Sequence, residues 1–144
     1  MERTTRLEEY KRTARQFPEL VATEGKLDLI DDICTADVVD HSPMGEIRGR
    51  EALKAQMTSL RAAFADFSAT VDHVVAEDDT VAMRVTLRGT HAGPFMGIEP
   101  TGAEFEVPNT VFTRFEDGRI AERWVLPDML GLYRQLGIDT LPTE

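Results

Sequence analysis

The chain has 144 residues, 42% of them apolar and 29% charged, which excludes a disordered protein and leaves room for one buried core. Its formal net charge of -10 argues against nucleic-acid binding, because phosphate recognition needs a positive face. Arginine outnumbers lysine and acids are abundant, a bias that fits either arginine-rich codon usage or adaptation to salt. Cys34 is the single cysteine, so no intrachain disulfide can form, and its apolar surroundings, read as helical, suggest a buried structural thiol. The N-terminal stretch MERTTRLEEYKRTAR is charged throughout and unlike a signal peptide, and no apolar run approaches the roughly 20 residues of a membrane span. The expected location is the cytoplasm.

The first third reads as helix. Leu7, Tyr10, Ala14, Phe17 and Val21 recur at three- and four-residue spacing, the mark of one buried face. Pro18 interrupts that pattern and predicts a kink near Gln16. Gly25 ends the helix, and Leu27 to Ile33 restarts a short one around exposed aspartates. Asp37 to His41 reads as a short strand closed by Ser42-Pro43 and Gly45. Arg50 then opens an amphipathic helix with Leu53, Met57, Leu60 and Phe64 on one side.

From Phe67 the period becomes two. Phe67, Ala69, Val71, His73 and Val75 share one side of a predicted strand, and Val81, Met83, Val85 and Leu87 share one side of the next. After a glycine-rich loop, Ala103 to Glu116 and Ile120 to Leu126 flank Asp117-Gly118, a strong hairpin signal. A last helix, Met129 to Leu136, is closed by Gly137. Helices segregated from hairpin-linked strands predict one α+β domain over residues 1–144, with helices covering one face of a curved sheet.

The chemistry suggested by these residues needs no cofactor. His41, His73 and His91 are scattered without the partners of a zinc site, so no metal is expected. No nucleophile elbow, phosphate loop or dinucleotide fingerprint occurs either. What remains is acid–base chemistry or binding without chemistry. Asp128, following the only tryptophan, Trp124, on the last strand, is the first candidate for a reacting group. It also fits a plain helix cap before Met129.

The segments GTHAGPFMGIEPTG, RFEDGRIAERWVLPD and GLYRQLG, with DVVDHSP, IRGREALKAQM and AFADF upstream, together resemble the SnoaL-like polyketide cyclases. That family lies within the nuclear-transport-factor-2-like superfamily, and the resemblance runs over roughly residues 20–137. It implies an NTF2-like cone: a curved antiparallel sheet packed against three to four helices around a deep pocket. It also implies a cofactor-independent cyclase closing a ring by intramolecular aldol chemistry on a hydrophobic carbonyl compound. Isomerisation, epoxide opening, or a binding role without chemistry are the alternatives in the same pocket.

The resemblance assigns acid–base work to Asp128, in the pattern Glu122, Trp124, Asp128. A carboxyl group can remove and return one proton if burial brings its pKa toward neutrality. Apolar Trp124, Leu126, Met129 and Leu130 are the expected source of that burial. Similarity to the ketosteroid isomerases places His41 where their catalytic base stands. The isomerase tyrosine would fall near Gln16-Phe17 and its buried acid at Val111, so simple steroid isomerisation is not expected. Asn109, Arg123, Trp124 and Phe95 are the candidate substrate contacts, although Arg123 and Trp124, being adjacent, should face opposite sides of a regular strand. His91 is read as structural. A homodimer through the open sheet face is expected, with the Phe67 to Leu87 strands supplying apolar side chains.

Overall fold

The computed structural model describes residues 2–138. Helix α1 (Glu2–Gln16) presents the expected stripe, with Ala14 buried and Tyr10 stacked on Phe115 at 4.4 Å. Pro18 has no N–H and its ring crowds the carbonyl four residues back, so the helix cannot continue unchanged. It widens instead into a π-helical turn, Phe17–Ala22, closed by the Thr23 N–H on the Pro18 carbonyl at 3.2 Å. Thr23 also fastens that turn to the sheet. Its hydroxyl donates to the Pro18 carbonyl (2.8 Å) and accepts from the Ala69 N–H (2.9 Å). A 3-10 turn (Leu27–Leu29) and the short helix α2 (Ile30–Ile33) follow.

Six strands form one sheet in the order β2-β1-β6-β5-β4-β3, with α3 (Arg50–Ala63) between β2 and β3 in sequence. They are β1 (Cys34–Ser42), β2 (Gly45–Arg48), β3 (Phe64–Glu77), β4 (Thr80–His91), β5 (Glu104–Glu116) and β6 (Arg119–Pro127). Helix α4 (Met129–Gln135) closes the described chain. The expected α+β cone is therefore present, with one departure from an all-antiparallel sheet: β1 and β6 run parallel. The turn at Asp117-Gly118 has positive φ at both residues (50° and 80°), the geometry that matches the twist of a two-residue hairpin.

Three local readings are corrected. Cys34 opens β1 and does not lie in a helix; it is fully buried, and burial pushes its thiol pKa up to about 11, so it is inert. The four-residue strand β2 pairs with β1 where only a turn was expected. In β3 the register slips between Val71 and His73, a bulge that reverses the alternation. His73 and Val75 consequently point outward, while Val74 and Ala76 pack against the core.

The inward faces of β3, β4 and β5 make the core with α1, the π-turn and α3. Phe67, Val81, Met83 and Val85, expected to supply a dimer interface, are instead buried in this core. Among the described residues no helix is long and apolar enough to cross a membrane.

Candidate active site

A cavity opens between the concave face of the sheet, the π-turn, α3 and the start of α4. Its volume is about 100 Å³. It is a narrow slot. Three of its lining side chains, Met44, Met57 and Met129, are flexible thioethers that can adapt to a ligand's outline. The π-turn contributes directly: Phe17, Pro18 and Ala22 all line the wall.

Alternation along β5 brings Val107, Asn109 and Val111 to the cavity, and alternation along β6 brings Arg123, Val125 and Pro127. The parity question is thus resolved for the Arg123 side. A bulge does occur in β6, at Ala121, but it lies before Arg123, so Glu122, Trp124 and Leu126 remain on the outer face. From β1 comes Asp40, paired in register with Arg123. Arg123 Nη1 donates to Asp40 Oδ1 at 2.7 Å, with the two residues only 5% and 6% exposed. The Arg123 guanidinium carbon lies 3.7 Å from the centroid of the Phe17 ring, a cation–π contact. Phe95 also lines the cavity and packs on Phe64 with ring centroids 4.9 Å apart.

The other candidates lie elsewhere. His41, one residue after Asp40, points to the opposite face, where its Nε2 is 2.6 Å from Glu122 Oε2 and its Nδ1 3.3 Å from Glu46 Oε1. Trp124 stacks on the His41 ring, 5.6 Å between centroids, and is 40% exposed. The His41 contact, opposed by partial burial and helped by Arg114, holds the Glu122 carboxyl below its ordinary pKa.

Asp128 is exposed and caps α4: the Gly131 N–H donates to its Oδ1 at 2.9 Å. A Cβ at position 131 would press on that carboxylate, which would have to shift to admit it. The burial expected around Asp128 is missing, because Leu126 and Leu130 are 66% and 48% exposed. Pro127 and Met129 line the cavity on either side of it, and Asp128 does not.

His91 is fully buried, with its Nδ1 accepting from the Thr101 N–H at 3.2 Å, an anchor for the glycine-rich loop. The residue that sequence reasoning missed is Asp40. The signal was its two-residue spacing from buried Val38, but consecutive valines at 38 and 39 support either face equally.

A family model described as SnoaL-like polyketide cyclase matches residues 12–136. The chain belongs to that family. This SnoaL-like protein is 36% identical over 101 residues to the aklanonic acid methyl ester cyclase DnrD of Streptomyces peucetius, covering 69% of this chain and 68% of that one. It superposes on TsrD from Streptomyces laurentii with a TM-score of 0.82 at 31% identity, covering 90% of this chain and 96% of the other. It also superposes on IdmH of Streptomyces antibioticus, a proposed polyketide cyclase, with a TM-score of 0.78 at 33% identity, covering 90% and 99%.

Proposed function

We propose that this protein is a cofactor-independent cyclase that closes a ring in a hydrophobic carbonyl compound, of the polyketide ester kind, by intramolecular aldol addition. The observation that carries the reading is the cavity's composition: apolar walls from the π-turn, α3 and three strands, with Asp40, Arg123 and Asn109 gathered on β1, β6 and β5. Aldol closure needs the reacting carbons held together, a proton moved, and the developing oxyanion stabilised. Apolar walls with a compact polar patch suit that sequence of events. Arg123 and Asn109 are the polar substrate contacts in this reading, and Phe95 is an apolar one.

Ligand binding without chemistry is the second reading. It draws support from Asp128, whose carboxylate is exposed and already taken up by a helix cap. One assay separates the two. Incubation with aklanonic acid methyl ester, or simpler aryl keto-esters bearing a second carbonyl, is expected to yield a ring-closed isomer of unchanged mass by liquid chromatography and mass spectrometry. Leu87→Trp, which fills the cavity from β4, should abolish that product. Tight binding of such esters with no isomer formed would favour the binding reading instead.

A homodimer is the proposed assembly, formed through the outer face of β5 and β6. Phe112 and Trp124 are paired in register there, with Leu126 beyond, and all three are exposed. Light scattering after size exclusion is expected to give twice the chain mass, and Leu126→Lys to lower it; a monodisperse monomer would contradict the assignment.

A further inference from the structure

Among the described residues, Asp40 is the one carboxylate that lines the cavity. Its ion pair with Arg123 engages Oδ1 alone, and Oδ2 receives no hydrogen bond from the described residues. The guanidinium is held in turn by the Phe17 ring beneath it, so the carboxylate has a fixed direction. Two residues' polar atoms nearby are also uncommitted. Asn109 Oδ1 and Arg123 Nε are buried with no hydrogen-bond partner. Buried polar groups are nearly always paired, and an unpaired set facing one slot is the arrangement a polar ligand would complete. The oxygen and nitrogen of the Asn109 amide are interchangeable at the level of an assigned orientation, so the amide can present either an acceptor or a donor to the slot.

We propose that Asp40 is the acid–base residue of this cavity and that Asn109 donates to the substrate oxygen that becomes negative. This inference rests on the ring-closure reading and names the groups that would perform it. Asp40 Oδ2 takes the proton from a carbon flanked by two carbonyls, and the C–H electron pair becomes the enolate. The enolate carbon then forms the new C–C bond to the second carbonyl carbon, whose π electrons move to its oxygen. That alkoxide takes the proton back from Asp40. Substrate and product are isomers, and no oxidant, reductant or added water enters.

Arg123 acts as a positioning residue, and the charge count explains why it is needed. Before proton transfer the site holds a carboxylate and a guanidinium; after it, an enolate and the same guanidinium. Negative charge moves a short distance beside a fixed cation and is never left uncompensated in apolar surroundings. His41 and Glu122 cannot take this part, because they lie on the other side of the sheet.

The test isolates the first half-reaction. Methyl benzoylacetate, a 1,3-dicarbonyl methyl ester, is incubated with the protein in D2O, and loss of its α-proton signal is followed by NMR while binding is measured separately. The parent protein is expected to accelerate exchange, and Asp40→Asn to lose about 10²–10⁴-fold of that acceleration with ester binding retained. Asn109→Leu should slow exchange less, since it removes the oxyanion donor and leaves the base. Should Asp40→Asn fail to fold, Asp40→Asn with Arg123→Gln removes both charges and keeps a neutral hydrogen bond, and is read the same way. Parental exchange in either variant overturns the role given to Asp40 and leaves the ring-closure reading standing. A parent protein that binds the ester and leaves exchange at the solvent rate overturns both.

Discussion

The two faces of β1 and β6 carry polar clusters made from adjacent residues, yet their surroundings are opposite. Inward, Asp40 meets Arg123 in a space closed by Phe17 and the core. Outward, His41 meets Glu122 and Glu46 beside an exposed Trp124, and Arg114 reaches Glu122 at 3.3 Å. Both are cross-strand pairs of opposite charge or hydrogen-bonding type. The inner pair has exchanged water for protein on nearly every side, while the outer one keeps side chains a quarter to a third exposed. The same interaction therefore has a different consequence on each side. Indoors, losing one partner strands a charge; outdoors, water takes its place.

Substitutions make that contrast measurable. Arg123→Met should destabilise the fold by about 3–5 kcal/mol in urea unfolding, because Asp40 is left buried and unpaired. Adding Asp40→Leu should restore most of the loss; if it does not, packing against Phe17 and not charge is what Arg123 supplies. Asp128 stands where the inner wall ends and the surface begins. Asp128→Ala should cost about 1 kcal/mol, the usual worth of an N-cap, with its readout in thermal unfolding. If instead it abolishes ring closure without lowering stability, the cap is not its main role.

Glu122→Gln on the outer face should change stability at neutral pH by about 0–1 kcal/mol. Its effect lies in acid. The Glu122 pKa is lowered in the folded protein, chiefly by His41, so its contribution is present above the unfolded carboxyl pKa and is lost as pH falls through the folded one. Stability profiles of parent and Glu122→Gln should accordingly converge as the pH drops below the ordinary glutamate range. Profiles that stay parallel through that range would show that the His41 contact contributes nothing to the fold.

Much of the architecture could be read from spacing alone. The Leu7 to Val21 stripe, the Val81 to Leu87 alternation and the Asp117-Gly118 turn each follow from a single local rule. What escaped was any feature depending on two strands at once. The bulge after Val71 is a matter of registration against β4, and no residue in β3 announces it. β2 is four residues long and largely exposed, with no periodicity to detect.

The site was harder for a related reason. Arg123 and Val125 alternate with Trp124 and Leu126, so both faces of β6 carry apolar side chains and parity alone cannot choose between them. Asn109 was legible because β5 alternates cleanly, with polar residues or Pro108 on the outer side except at Phe112. His41 drew attention as a chemically conspicuous residue, while its quieter neighbour Asp40 held the inward position.

Thr23 has a consequence of a different kind. Its hydroxyl ties the Pro18 carbonyl to the Ala69 N–H, and both residues line the cavity. The distance between these two walls is thus fixed through backbone atoms and one small side chain. Exchanging Leu87, Val107 or Met57 for larger or smaller residues would reshape the slot without moving the walls apart. Such a frame separates the dimensions of the container from the outline of its contents, and lets a single scaffold pass from one substrate to another by side-chain replacement alone.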